Sequence, residues 1–259
     1  MNAPPHVLTI SGSDSSGRAG MQADNRAIHC CGCFPLNVLT AVTLQGPKGV
    51  ESVELMSPDF VEQQLRSMLK SYDVKAIKSG MLGSVEIVCR VAQVLSEYPD
   101  IPYVLDPVMC SSSGTRLLEI EAIEALRTGL MPRATLTTPN LDEVEILSGI
   151  ADDAWEAGAE LARSSGQAIL LKGGHATGEN CDDWLFYPDG RRYCHRDERV
   201  ETLNTRGTGC ALSALIAAHL ALEPYELESA IKSAKDQLSC SLYEHAKVGW
   251  KGGGPSFYD

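Results

Sequence analysis

Several things are missing from this 259-residue chain. No apolar run reaches the roughly 20 residues that a bilayer-spanning helix needs, so no membrane role is expected. Positive charge is scarce: 22 Lys and Arg stand against 34 Asp and Glu, a formal net charge of −12. A chain without a basic excess is not built for nucleic acid or an anionic membrane surface. If its substrate is anionic, local cations or a metal must offset that field, and Lys172 and Arg206, in Gly-rich surroundings, are the candidates. Residues 1 to 10 have neither the charged start nor the long apolar core of an export signal. The nine cysteines are odd in number and scattered through apolar stretches, which fits reduced thiols in the cytoplasm. Cys30, Cys31 and Cys33 lack a second pair at zinc-ligand spacing and read as packing at a helix end. Three nucleotide and metal signatures are also absent. There is no Gly-x-x-x-x-Gly-Lys-Ser/Thr loop, no Gly-x-Gly-x-x-Gly after the first strand, and no His-Glu-x-x-His.

What is present is concentrated near residue 205. Asn204-Thr-Arg-Gly-Thr-Gly-Cys210 runs directly into the apolar stretch Ala211–Ala218. Gly207, Thr208 and Gly209 at a helix start leave backbone N–H groups unpaired, and the helix dipole adds positive character there. Together these form a cradle for an anion. Cys210 stands at its mouth as base, nucleophile or packing side chain.

Around this segment, strands alternate with helices. His6–Ile10 reads as a strand, followed by a Gly/Ser loop and a helix over 18–31. Further strands are expected at 36–44, 75–78, 103–105, 134–137 and 168–171, and helices at 57–72, 84–97, 119–130 and 141–148. Asp189-Gly190 marks a hairpin between 182–187 and 191–196. Two long helices, about 209–222 and 225–246, close the chain. Near-continuous apolar strands alternating with helices predict an α/β fold with a parallel sheet covered on both faces. No Pro/Gly/Ser linker divides it, so one domain over 1–259 is expected. In such sheets ligands bind at the carboxyl ends of the strands. The loops there carry most of the chemistry.

Each candidate has a functional and a plain reading. Glu143, in Asn140-Leu-Asp-Glu143, would suit Mg²⁺, which prefers oxygen ligands; equally, the segment is an N-capped helix start. Asp106 ends a buried strand and needs a cation or donors to stay charged. Lys172 could reach phosphates or snorkel to water. The amide of Gln45 both donates and accepts, which suits a heteroaromatic ring, although such a position also fits a turn. Asp24 is either a buried polar contact or a solvated helical acid. Met81, His175 and Arg206 read by default as a packing side chain, a surface histidine and a loop cation.

Taken together, Leu8–Asp14, Ala19–Asp24, Gln45, Ile77–Leu82, Val104–Met109, Thr138–Glu143, Leu171–His175 and Asn204–Cys210 resemble the ribokinase-like superfamily. Within it they resemble the hydroxymethylpyrimidine/phosphomethylpyrimidine kinases of thiamine biosynthesis. The resemblance spans nearly the whole chain. It implies a three-layer α/β/α sandwich with a central, mostly parallel sheet. It also implies ATP-dependent phosphorylation of a small pyrimidine alcohol and then of its monophosphate, with Mg²⁺. Gln45 is implied to bind the aminopyrimidine ring, with Gly12, Asp24, Met81 and Val108 shaping the pocket. Asp106 and Glu143 are implied to organise Mg²⁺, and Lys172, with Asn140 and Thr208, to contact ATP. Thr208, Gly209 and Cys210 would form the anion hole after Gly207. By the same resemblance, Cys210 is implied to stand where most sugar kinases carry aspartate and to take the substrate hydroxyl proton. A free thiol of pKa about 8.5 falls at a helix N-terminus, so a substantial thiolate fraction near neutral pH is expected.

The chain departs from the usual pattern in places. Ser15 and Arg18 stand where relatives commonly have Pro and Gly, and Val248–Pro255 replaces a more usual Gly-His-Gly-x-Gly-Pro. Pyridoxal phosphorylation is the nearest competing activity, since an aromatic ring bearing CH₂OH presents similar geometry. A non-catalytic sensor of a vitamin precursor is the alternative from another class. A Cys210/His hydrolase stands further off, with no histidine placed by sequence to pair with Cys210. Relatives are often dimers, so a homodimer is expected by analogy alone.

Overall fold

The computed structural model describes residues 3–173, 180–202, 204–222, 226–248, 255 and 257. Its frame is one sheet of nine strands: β1 His6–Asp14, β2 Phe34–Gly46, β3 Gly49–Leu55, β4 Val74–Ser79, β5 Tyr103–Leu105, β6 Leu136–Thr137, β7 Ala168–Leu171, β8 Asp183–Phe186 and β9 Arg192–His195. Their order across the sheet is β3-β2-β1-β4-β5-β6-β7-β8-β9. The neighbours from β2 through β7 pair in parallel, while β3, β8 and β9 are antiparallel additions at the two edges.

The helices are α1 Gly20–Cys30, α2 Pro58–Ser71, α3 Val85–Leu95, α4 Ala122–Ala125, α5 Leu141–Ser148, α6 Ala154–Ser165, α7 Thr208–Ala221 and α8 Leu227–Val248. Local chemistry explains several boundaries. The Ser57 side chain accepts from Phe60 N–H with Pro58 at the first helical position, an N-cap and a pre-set φ in sequence. Asn140 and Glu143 exchange side-chain bonds with each other's backbone at the head of α5, a full capping box. Gly149 and Gly166 end α5 and α6 in the left-handed conformation that glycine adopts without strain.

Two apolar cores lie on opposite faces of the sheet. One joins β-strand residues to α2, α3, α5 and α6 through Val61, Leu65, Val91, Val144 and Leu161. The other joins them to α1, α7 and α8 through Ile28, Leu215, Ile216, Ile231 and Ala234. This is the expected three-layer sandwich. α7 is buried almost all round, from Ala211 to Ala221 apart from Leu220, as a helix without a polar face must be.

The sequence reading is close for most elements and departs in four places. Residues 11–14, expected in the first loop, continue β1 to Asp14. The helix expected over 119–130 is regular only at Ala122–Ala125 and then continues as wider and tighter turns to Arg133, where Pro132 cannot donate to a helix. Two elements carry no expectation from the sequence: β3 and α6. The parallel strands all end on one edge, so the loops that follow β1, β2, β4, β5, β6 and β7 converge there, as the alternation predicts. The chain steps from β1 to β2 on one side and returns to β4 on the other. In sheets of this kind ligands bind at that switch point, here beside β1.

Candidate active site

At the switch point lies a fully buried ion pair. Asp24 on α1 accepts both Lys78 Nζ contacts at 2.9 Å, Thr9 Oγ1 at 2.6 Å and Ser11 Oγ at 3.0 Å. Thr9 and Lys78 are register partners across β1 and β4. Asp24 is therefore not a solvated acid. Its oxygens are taken up by protein donors, and the Lys78 side chain that it holds is itself fully buried. Burial opposes charge on Lys78, but Asp24, Cys210 and Asp106 outweigh it and raise its pKa. The sequence reading missed Lys78. A lysine inside the short strand Val74–Ser79, where Val74, Ala76, Ile77 and Ser79 are buried with it, was the available signal.

The second ion pair joins β5 to β7. Lys172 Nζ donates to Asp106 Oδ1 at 2.8 Å, with Thr138 Oγ1 at 3.5 Å and Ser213 Oγ at 3.4 Å also approaching this carboxylate. Asp106 is 2% exposed and Lys172 13%, so a snorkelling lysine is excluded. Its ammonium turns inward, and a Cβ placed on Gly209 would lie 3.3 Å from Nζ. Lys172 thus lies at the N-terminus of α7. Burial opposes its charge, while Asp106 and Glu143 together raise its pKa.

Glu143 performs the plain reading and leaves room for the functional one. Its Oε2 accepts the Asn140 N–H at 2.9 Å, completing the capping box. Burial pushes its carboxyl up to about 7; Lys172 lowers it, Asp106 raises it, and the Asn140 and Met109 amides lower it. Two buried carboxylates sharing one lysine leave an excess of negative charge. That excess fits a hard cation with oxygen ligands. Among the described residues no group of three or more His, Cys, Asp or Glu could hold a metal. Mg²⁺ takes one or two carboxylates and leaves the rest of its shell to water and phosphate.

α7 begins at Gly207 with φ 75° and no side-chain cap; the Thr208 N–H turns back to the Thr205 carbonyl at 3.4 Å, and the Gly209 and Cys210 amides are left to the site. A Cβ on Gly207 would collide with the Arg18 carbonyl, so only glycine permits this approach. Thr208 turns its hydroxyl back to Thr205 C=O at 3.0 Å. Cys210 is half-buried. The expectation of a substantial thiolate is corrected here: burial pushes its thiol up to about 11. Lys78 opposes this, Asp106 and Asp24 add to it, and the Gly20 amide opposes it. Desolvation outweighs the helix terminus because the thiol lies inside the fold rather than at an open helix end.

The rim is lighter. Gln45 is half-buried at the end of β2, with Thr43 Oγ1 3.4 Å from its Oε1. Gly12 faces Met81, whose Sδ would stand 3.0 Å from a Cβ there. Met81 is anchored through its carbonyl by Thr40 Oγ1 at 2.6 Å, and Val108 is half-buried beyond Asp106. Gly174 and His175 lie outside the described residues. So does most of Val248–Pro255.

A doubly covered sheet with an uncapped helix N-terminus, two buried carboxylates and an inward lysine defines a phosphotransferase of the ribokinase-like class. The model of the family described as phosphomethylpyrimidine kinase matches residues 14–256. The Haemophilus influenzae hydroxymethylpyrimidine/phosphomethylpyrimidine kinase is 38% identical, over 99% of this chain and 97% of its own. Among solved structures, Bacillus subtilis pyridoxal kinase in complex with ADP has TM-score 0.85 at 32% identity, covering 93% of this chain and 92% of its own. The Clostridium difficile phosphomethylpyrimidine kinase has TM-score 0.76 at 36% identity, covering 90% and 96%. The chain belongs to the phosphomethylpyrimidine kinase family.

Proposed function

We propose that this chain, as one catalytic domain, transfers the γ-phosphoryl group of ATP to 4-amino-5-hydroxymethyl-2-methylpyrimidine and then phosphorylates the monophosphate, in thiamine diphosphate biosynthesis. The observation that carries the reading is Cys210 at the uncapped start of α7, with Lys172 held at the same helix end by Asp106. Phosphoryl transfer depends mainly on positioning and charge stabilisation. The Gly209 and Cys210 amides at the start of α7 and Lys172 stabilise charge on the phosphoryl oxygens, and Asn140 and Thr208 border the nucleotide. Asp106 and Glu143 would hold Mg²⁺, which supplies charge neutralisation at the phosphates. Gln45 reads the ring, with Gly12, Met81 and Val108 as walls and Asp24 acting from behind through Lys78.

Cys210 takes the proton of the substrate CH₂OH. The free protein holds it as a thiol, so the base must form within the assembled site. Neutralising Asp106 removes one of the charges that keep the proton on sulfur, and Lys78 and the Gly20 amide then favour the thiolate. The rate should therefore rise with pH across the neutral range.

The test is ATP consumption by the purified chain with the pyrimidine alcohol, its monophosphate and pyridoxal, side by side with Mg²⁺. Turnover of the first two supports the reading. A clear pyridoxal preference, in keeping with the fold match to pyridoxal kinase, would replace it with that activity. Binding without product would leave a sensor. We also place the protein in the cytoplasm as a homodimer. The odd number and scatter of its cysteines support the first, and the exposed Val42, Leu44 and Leu55 on one hairpin support the second. Sedimentation checks the dimer.

A further inference from the structure

Ser15 and Arg206 have no part in the chemistry above, yet both act on one short piece of backbone. Ser15 Oγ accepts the Gln45 N–H at 2.9 Å and donates to the Gln45 carbonyl at 3.1 Å. It thus holds both polar groups of a residue 30 positions away. Arg206 Nη1 donates to the Gly46 carbonyl at 2.9 Å. The β2–β3 register shifts between Leu44 and Gln45. The regular ladder is therefore interrupted where these side chains take over.

Both anchors are themselves fixed. Ser15 sits in a loop wrapped around the buried Asp14 carboxylate, which accepts the Ser16, Arg18 and Ala19 amides at 2.8–3.1 Å and the Ser16 hydroxyl at 3.0 Å. Arg206 immediately precedes Gly207, which is pressed against the Arg18 carbonyl. The Asp14 loop, the hairpin tip and the anion cradle are thus stitched into one unit.

We propose that Ser15 and Arg206 are specificity-determining positioning residues, which fix the Gln45 backbone so that its amide meets the substrate ring. This rests on the reading of Gln45 as the ring-binding residue. The physical ground is position. Ser15 is exposed, and hydrogen bonds at such a rim contribute little to folding. A reading side chain displaced by a fraction of an ångström nonetheless loses its partner.

The experiment uses the full chain with saturating ATP and Mg²⁺, and calorimetric binding of the pyrimidine alcohol without ATP. Ser15→Ala should raise both KM and Kd for the alcohol about tenfold while kcat stays within about twofold. The KM for ATP should not move. Ser15→Thr, which keeps the hydroxyl, should recover most of the affinity, and Arg206→Met should move KM in the same direction as Ser15→Ala. Unchanged alcohol binding in both Ser15→Ala and Arg206→Met, with an active wild type, overturns this inference and leaves the proposed activity standing. A parallel rise in KM for ATP also overturns it, because a general loosening would move both. A wild type that neither binds nor phosphorylates the pyrimidine alcohol overturns the activity and the inference together.

Discussion

The floor and the rim of this site are built from different materials. The floor is two buried ion pairs, Asp24–Lys78 and Asp106–Lys172, whose carboxylates are at most 2% exposed. The rim is a set of hydrogen bonds to backbone, Ser15 and Arg206 on Gln45–Gly46. Charges taken out of water act strongly on their neighbours and cost much to leave unpaired. Hydrogen bonds at a wet edge contribute little to stability and set geometry. Under the proposed function the floor governs charge and protons, and the rim governs which ring is accepted.

The contrast can be broken most directly at Cys210. Cys210→Ala should lower the single-turnover rate about 10²–10⁴-fold, the range of a lost proton-transfer group, with ATP binding intact. It should also flatten the rise of rate with pH. Near-wild-type turnover would remove Cys210 from the chemistry.

Next comes the ion pair beneath it. Lys78→Met strands Asp24 as an unpaired buried carboxylate and should destabilise the fold by about 3–5 kcal/mol, read by denaturant unfolding. A loss as small as that of a rim variant would dissolve the distinction between floor and rim.

A third measurement concerns the thiol itself. With its pKa pushed up to about 11, Cys210 in the ligand-free protein should be alkylated at pH 8 about two orders of magnitude more slowly than an ordinary thiol. The exposed Cys89, Cys110 and Cys240 supply the internal standard. Equal labelling rates would mean that the floor does not desolvate the sulfur.

The smallest effect is a matter of sign. Glu143 has a folded-state pKa of about 7, above the unfolded carboxyl value near about 4.3. The folded metal-free protein therefore binds the extra proton, and Glu143 contributes a loss of stability as pH rises from about 4.3 toward about 7, then none further. Glu143→Gln should remove that slope in thermal unfolding between those limits. A slope unaltered by the substitution would place the responsible group elsewhere.

Much of this was legible in the chain. Asn140 with Glu143 three residues later writes a capping box, and α5 begins there. Ser57-Pro58-Asp59 announces α2. The strand ends at 105, 137 and 171 were readable because short apolar runs stop at Asp106, Thr138 and Lys172, and alternation sends all of them to one edge. What failed to read had local causes. α6 is an alanine- and glutamate-rich helix with a narrow apolar stripe. β3 reads as a polar alternation beside a turn. Pro132 breaks what looked like one long helix. Lys78 looked like an ordinary strand residue because its partner, Asp24, lies on a different element.

By itself, the sequence determined the class of sheet, the edge that carries the chemistry and the residue types present there, since periodicity and capping are local properties of the chain. Tertiary structure decided their state. Only the fold brings Asp24 under Lys78, turns Lys172 toward Asp106 and α7, and ties Ser15 to Gln45. Only the fold withdraws the Cys210 sulfur from water, turning an expected thiolate into a thiol. A pKa depends on what surrounds a group in three dimensions, and the spacing of residues along a chain does not record that.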